Sequence, residues 1–255
     1  MKKSILLVLV YLLCQVLAAL TVAPVALLCT YLATGEVSVG PTDTLLVAVM
    51  LVSFVYMVGF LWRKGYLKGD GGAMWRLTSP RALGWALVGG AAAICLTSVV
   101  ASWLSFLPDL MKDNFAALQG TWLGLACIVL LGPAVEELVY RRAVQVELSR
   151  YYTPRGVVLL SGVLFGVSHI NPAQVPGACL MGFLLAWLYL RTRSLVPGLL
   201  IHIVNNGLAT YLSMAHPEAE DLGQWLSPMA MVVVAVVAAA VMAVAIKRIH
   251  AHYPQ

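Results

Sequence analysis

The chain has 255 residues, of which 61% are hydrophobic and only 11% charged, and it carries a net charge of +5; its mean hydropathy is +0.90. Soluble domains carry about 25% charged residues, so this composition excludes a water-soluble globular fold and predicts an integral membrane protein. The small basic excess is read as topology and contact with anionic lipid, not as nucleic-acid binding.

Apolar runs of about 18 residues or more mark spanning helices. Eight candidates follow in order: 4–33, 44–62, 82–107, 121–140, 157–170, 175–190, 195–214 and 225–246. The first opens on Lys2 and Lys3 as a secretory signal would, but its apolar stretch is far longer than a signal core and is expected to stay as a helix. Between the second and third runs the segment 63–81 is rich in glycine and basic residues, among them Lys64, Gly65, Lys68, Gly69, Gly71, Gly72 and Arg76, with Trp75 and Leu77 as apolar points. It is expected to lie on the headgroups. Cys14, Cys29, Cys95, Cys127 and Cys179 sit within apolar runs without CxxC spacing and read as packing residues.

The fourth run carries Glu136 and Glu137 and continues as Arg141, Arg142, Glu147 and Arg150 before a turn at Tyr152, Thr153 and Pro154, where proline suits a helix start. On this reading Arg142 marks the interface and Glu147 is a solvated charge. The fifth run holds Phe165, His169 and a Gly162/Gly166 pair that lets another backbone approach closely. The seventh holds His202, Asn205 and Asn206. The fold class is therefore all-α, a polytopic protein of about eight transmembrane helices. Within a single transmembrane domain over 1–255, residues 1–118 supply helices without motifs, 119–214 a catalytic core and 225–248 a last span.

Basic residues collect on the inner side of membrane proteins. With a cytoplasmic N-terminus and eight alternating helices, the inner ends receive Lys2, Lys3, Arg63, Lys64, Lys68, Arg76, Arg81, Arg141, Arg142, Arg150, Arg155, Arg191, Arg193, Lys247 and Arg248, and only Lys112 falls outside. The outer loops take Glu36, Asp43, Asp109, Asp113, Glu218, Glu220 and Asp221. This partition predicts a multi-pass protein of the cell membrane with both termini cytoplasmic.

Carboxylates in hydrocarbon cost about 3 kcal/mol on insertion scales and more in simulation, so ionisable residues there mark function. Glu136 lies 17 residues before Thr153 and His169 lies 16 after it, so an antiparallel hairpin brings them to one depth. His202 and Asn206, spaced i, i+4, share a helix face. Glu137 and Arg141 have the same spacing and can pair, while Glu136 points about 100° away. A carboxylate and an imidazole can hold a water and take its proton, and a second imidazole and an amide can donate to a developing oxyanion. Glu136 and His169 are assigned to the water, and His202 and Asn206 to the oxyanion. Glu137 and Arg141 support the site and Phe165 shields it, toward the cytoplasmic side of the bundle.

Taken in order, Glu136-Glu137-x-x-x-Arg141, Phe165-x-x-x-His169 and His202-x-x-x-Asn206 resemble the three motifs of the CAAX protease and bacteriocin-processing (CPBP, Abi-type) intramembrane endopeptidases, over about Trp122 to Met214. The resemblance implies an eight-helix membrane protease. Eukaryotic relatives remove the last three residues of prenylated CAAX proteins, and bacterial relatives process peptides or confer immunity to them. The family has been described both as metalloproteases and as glutamate-dependent proteases. The metal-free reading is favoured, because side chains already fill the base and oxyanion roles. The alternative is Zn²⁺ or another divalent metal on Glu136, His169 and His202, an open His₂Glu set, although no HExxH occurs. The expected partners are the bilayer and a membrane-associated peptide or protein substrate, with no nucleic acid. Two other readings stand beside the protease: a non-catalytic immunity or scaffold protein, and a proton-coupled transporter, which predicts paired repeats.

Overall fold

A computed structural model describes residues 1–37, 42–68, 73–219 and 222–253. Gly69, Gly71 and Gly72 of the basic loop and Glu220 and Asp221 of an outer loop lie outside the described residues. Every element among the described residues is helical: α1 (Lys2–Thr34), α2 (Thr42–Arg63), α3 (Pro80–Trp103), α4 (Lys112–Gln119), α5 (Trp122–Leu148), α6 (Pro154–Val167), α7 (Val175–Thr192), α8 (Val196–Ala215) and α9 (Pro228–His252), with short 3₁₀ turns at Ala73–Trp75 and Leu222–Gln224. The protein is an all-α, polytopic membrane protein.

Local sequence explains where the helices begin. Ser79-Pro80, Thr153-Pro154 and Ser227-Pro228 repeat one device. The hydroxyl accepts from the backbone N–H three residues on, and proline fills the first helical position, where no N–H is needed. Helix α1 stops at Gly35, whose left-handed φ of 76° suits glycine and whose N–H returns to Tyr31 O.

Helices α1, α2, α3, α5, α7 and α9 are long and apolar enough to cross a membrane. The remaining two of the eight expected spans fall short for different reasons. Helix α6 has only 14 residues, against about 20 for a full span. Helix α8 has 20 residues, but His202, Asn205 and Asn206 interrupt its apolar run. The candidate residue His169 lies just past the end of α6, and α8 carries His202 and Asn206.

One end of the bundle gathers the chain's basic ends. Tyr152 Oη lies 3.3 Å from Met1 Sδ, Tyr66 Oη donates to Glu147 at 3.1 Å, Ser194 Oγ donates to Arg76 O at 2.7 Å, and Arg191 reaches Tyr253 O at 3.5 Å. At the other end, Asn171 Nδ2 donates to Asp109 at 2.8 Å and Leu222 N to Ser102 Oγ at 2.9 Å. These contacts sort the loops into the two sets that the charge pattern predicts.

One expectation at the end of α5 is corrected. Glu147 is buried, not solvated: it accepts from Tyr66 and lies 3.5 Å from Arg150. Burial and the Glu147 charge together push the Tyr66 phenol above its ordinary value of 10.0. Arg142 donates to the loop carbonyl Lys68 O at 3.2 Å.

Two apolar clusters hold the bundle. One joins α1, α2, α5 and α6 through residues such as Leu7, Met57, Val139 and Val157. The other joins α3, α7, α8 and α9 through Ala93, Leu185, Ile201 and Ile249. Apolar side chains facing lipid gain little from burial, so close packing must supply the cohesion. The α6–α7 seam does so: a Cβ on Gly162 would overlap the Phe183 ring, and one on Gly166 would overlap Cys179 Sγ. All five thiols are unpaired, and Cys179 packs in that seam.

Candidate active site

The site is built on a distorted α5. Gly132 N–H bonds to Cys127 O, and Gln145 N–H to Tyr140 O, each an i→i−5 bond that makes Cys127–Leu131 and Leu138–Val144 π-helical. Proline explains the first. Pro133 has no N–H to give, and its ring would press on the carbonyl four residues back, so the helix widens before it. Gly132 is the residue that fits there, since a Cβ would lie 2.9 Å from Cys127 O. The wider register releases Ile128 O from its usual partner, and Asn206 Nδ2 of α8 takes it at 3.1 Å. Such π-turns occur frequently at functional sites. Here they bracket Glu136 and Glu137.

A chain of charges crosses from α5 to α8. Arg141, which has no solvent exposure, places Nε 3.3 Å from Glu137 Oε2, an ion-pair distance without hydrogen-bond alignment. Its Nη1 donates to Ser161 Oγ at 3.4 Å, and its guanidinium lies 5.0 Å from the Phe165 ring centre. Glu137 turns its other oxygen to His202 Nδ1 at 3.3 Å, and His202 Nε2 lies 3.4 Å from Glu136 Oε2. Gly198 makes room for this, because a Cβ there would stand 3.2 Å from Glu137 Oε2. Both nitrogens of His202 face carboxylate oxygens, and only the doubly protonated ring donates to both. Glu137 and His202 are almost wholly enclosed, whereas the Glu136 side chain keeps 18% of its surface.

His169 packs edge-on against Phe165. Its Nδ1 is 2.9 Å from Phe165 O. A carbonyl only accepts, so the proton sits on Nδ1 and Nε2 is left as the basic nitrogen of the neutral ring. Phe165 is the hub of the aromatic packing: Tyr140, His169 and His202 meet it edge-on at centroid distances of 5.1, 4.9 and 5.6 Å. Tyr140 Oη donates to Ser168 Oγ, and that hydroxyl donates to Phe165 O. Directly after His169 the chain bends sharply at Ile170, whose φ of 58° is unfavourable for a β-branched residue. Buried Asn171 holds the bend, accepting from Leu110 N at 2.9 Å while donating to Asp109.

The sequence-derived residues thus converge in part. Glu136, Glu137, Arg141 and His202 form one connected set, and Phe165 shields it. The structure joins Glu136 to His202, where the hairpin register had paired it with His169. The two glutamates do diverge as the helical spacing predicts, but both meet His202. Asn206 donates to a backbone carbonyl, and Asn205 donates to Asn206 Oδ1 at 3.2 Å. Glu136, His169 and His202 do not gather as a metal-binding set, and among the described residues no three His, Cys, Asp or Glu do. Two contributors carry no sequence signal. Tyr11 of α1 donates to Glu136 Oε1 at 3.4 Å, and Asn171 supports the His169 bend. A lone tyrosine in a long apolar helix has no pattern to betray it.

No curated protein and no solved structure matches the chain. Residues 118–208, the stretch that carries all three motifs and both sides of the Glu136–His202 contact, match the family described as type II CAAX prenyl endopeptidase Rce1-like.

Proposed function

We propose that this protein is an intramembrane endopeptidase that hydrolyses a peptide bond of a membrane-associated substrate, of the prenylated CAAX type or another hydrophobic peptide, presented from the cytoplasmic side. The observation that carries the reading is His202 held between two carboxylates inside an apolar bundle, with one of them, Glu136, retaining some exposure.

Glu136 is the general base. It takes a proton from the attacking water as the oxygen adds to the scissile carbonyl carbon, and it returns that proton to the leaving amine nitrogen. His169 Nε2 accepts the water's other proton as a hydrogen bond and aims its lone pair. Substrate and water enter between Glu136 and His202, freeing His202 Nε2–H to donate to the carbonyl oxygen as it becomes an oxyanion. Glu137 holds Nδ1–H and keeps the ring oriented. Asn206 is the second donor of this pair, reached when its amide leaves Ile128 O. Preorganised donors in a water-poor site stabilise developing charge without reorganising, each contributing about 10²–10³ in kcat.

The test uses protein purified in detergent, with farnesylated CAAX peptides and unmodified hydrophobic peptides followed by mass spectrometry, and Glu136→Gln beside the wild type. Cleavage by the wild type that is lost in the near-isosteric variant is the expected result. Equal cleavage by both overturns the assignment of the base.

A further inference from the structure

Helix α1 lies outside the stretch that matches the peptidase family, yet it packs on the second π-turn of α5 and delivers a hydroxyl to the site. Tyr11 sits near the middle of the first half of α1, only 8% exposed on the buried face that also carries Ser4, Leu7, Val8, Cys14 and Ala18. Its ring meets Tyr140 edge-on at 6.1 Å, and its Oη donates to Glu136 Oε1 at 3.4 Å. The two oxygens of Glu136 are therefore held from opposite sides, Oε1 by α1 and Oε2 by His202 of α8.

A glutamate carboxylate rotates broadly about its last torsion. In a site where the substrate must displace the His202 contact, one partner has to persist if the carboxylate is to stay aimed. We propose that Tyr11 is a positioning residue for Glu136: its hydroxyl fixes Oε1, leaving Oε2 directed at the water. The distance is long for an O–H···O bond, as catalytic hydrogen bonds often are before substrate binds. The competing role for Tyr11 is packing alone. Because Tyr140 meets the ring and Glu136 meets the hydroxyl, the two roles separate on different atoms. The proposal rests on Glu136 being the base, so the test has one arm that needs catalysis and one that does not.

Tyr11→Phe keeps the ring and removes only the hydroxyl. In the catalytic arm, kcat for the cleaved peptide should fall about tenfold or more, as expected for losing a hydrogen bond to a charged group, with KM close to wild type. In the second arm, melting temperatures of Tyr11→Phe, Glu136→Ala and the double variant form a cycle. The Tyr11→Phe change should be felt when Glu136 is present and vanish when it is alanine. An unchanged kcat overturns the proposal, as does a fall in kcat accompanied by strictly additive melting temperatures. If the wild type cleaves none of the peptides, the endopeptidase reading fails on its own. The cycle then decides whether Tyr11 holds Glu136: coupling retains the contact and additivity removes it.

Discussion

Glu137 is gripped by Arg141 from its own helix and by His202 from another. Removing one member of such a set strands the others in a medium that cannot solvate them. Glu137→Ala and Arg141→Ala should each cost roughly 3–5 kcal/mol, read as a marked loss of folded yield and of melting temperature in detergent; unchanged melting of both variants would refute the pairing. Much of this was legible beforehand. Glu137 and Arg141 stand four apart, as do His202 and Asn206, and ionisable groups within apolar helices are conspicuous. Which carboxylate each histidine would meet was not legible, because an interhelical contact depends on helix rotation as well as depth. Glu136 meets His202 and Tyr11, while His169 meets the Phe165 ring and carbonyl.

At the scale of elements, the proline start of α6 was legible at Thr153-Pro154, whereas α3 and α9 begin at Pro80 and Pro228 and not at 82 and 225 as their apolar runs suggested. Helix α4 was not legible: its eight residues, KDNFAALQ, sit in a loop between spans and lack a long apolar run. The π-turns were equally hidden, although Gly132-Pro133 marks one of them in retrospect. That turn makes a prediction. Pro133→Ala restores an N–H and relieves the ring clash, so α5 can relax toward α-helical register and Ile128 O regains an intrahelical donor. Asn206 then loses its partner. Activity should fall about tenfold or more, the scale of misplacing one transition-state donor, while the helical circular dichroism signal is maintained or rises. Full activity in this variant would show that the widened turn is incidental to the site.

For the whole molecule, loop-to-loop contacts place the basic segments at one end and Asp109, Asn171 and the turn at Leu222 at the other. Since basic residues favour the inner side, we propose that the end carrying Met1, Tyr66 and Tyr151 faces the cytoplasm. Tyr151 is 66% exposed at that end and Phe106 is 77% exposed at the other, so both suit reporters. In a variant with its own cysteines replaced, Tyr151→Cys should react with a membrane-impermeant thiol reagent only in inverted vesicles, and Phe106→Cys only in intact cells. The reverse pattern would invert the topology and move substrate entry to the opposite side.

The ion pair within α5 also bears on how the protein is made. A chain emerges from its N-terminus onward, so α5 enters the bilayer well before His202, which lies 65 residues beyond Glu137. For that interval the segment must survive without its distant partner. Glu137 and Arg141 neutralise one another one turn apart, and Tyr11, synthesised 125 residues before Glu136, is already in place to meet the second carboxylate. The arrangement provides escorts in order of synthesis: an earlier helix for Glu136, a same-helix cation for Glu137, and only last the histidine that joins both acids.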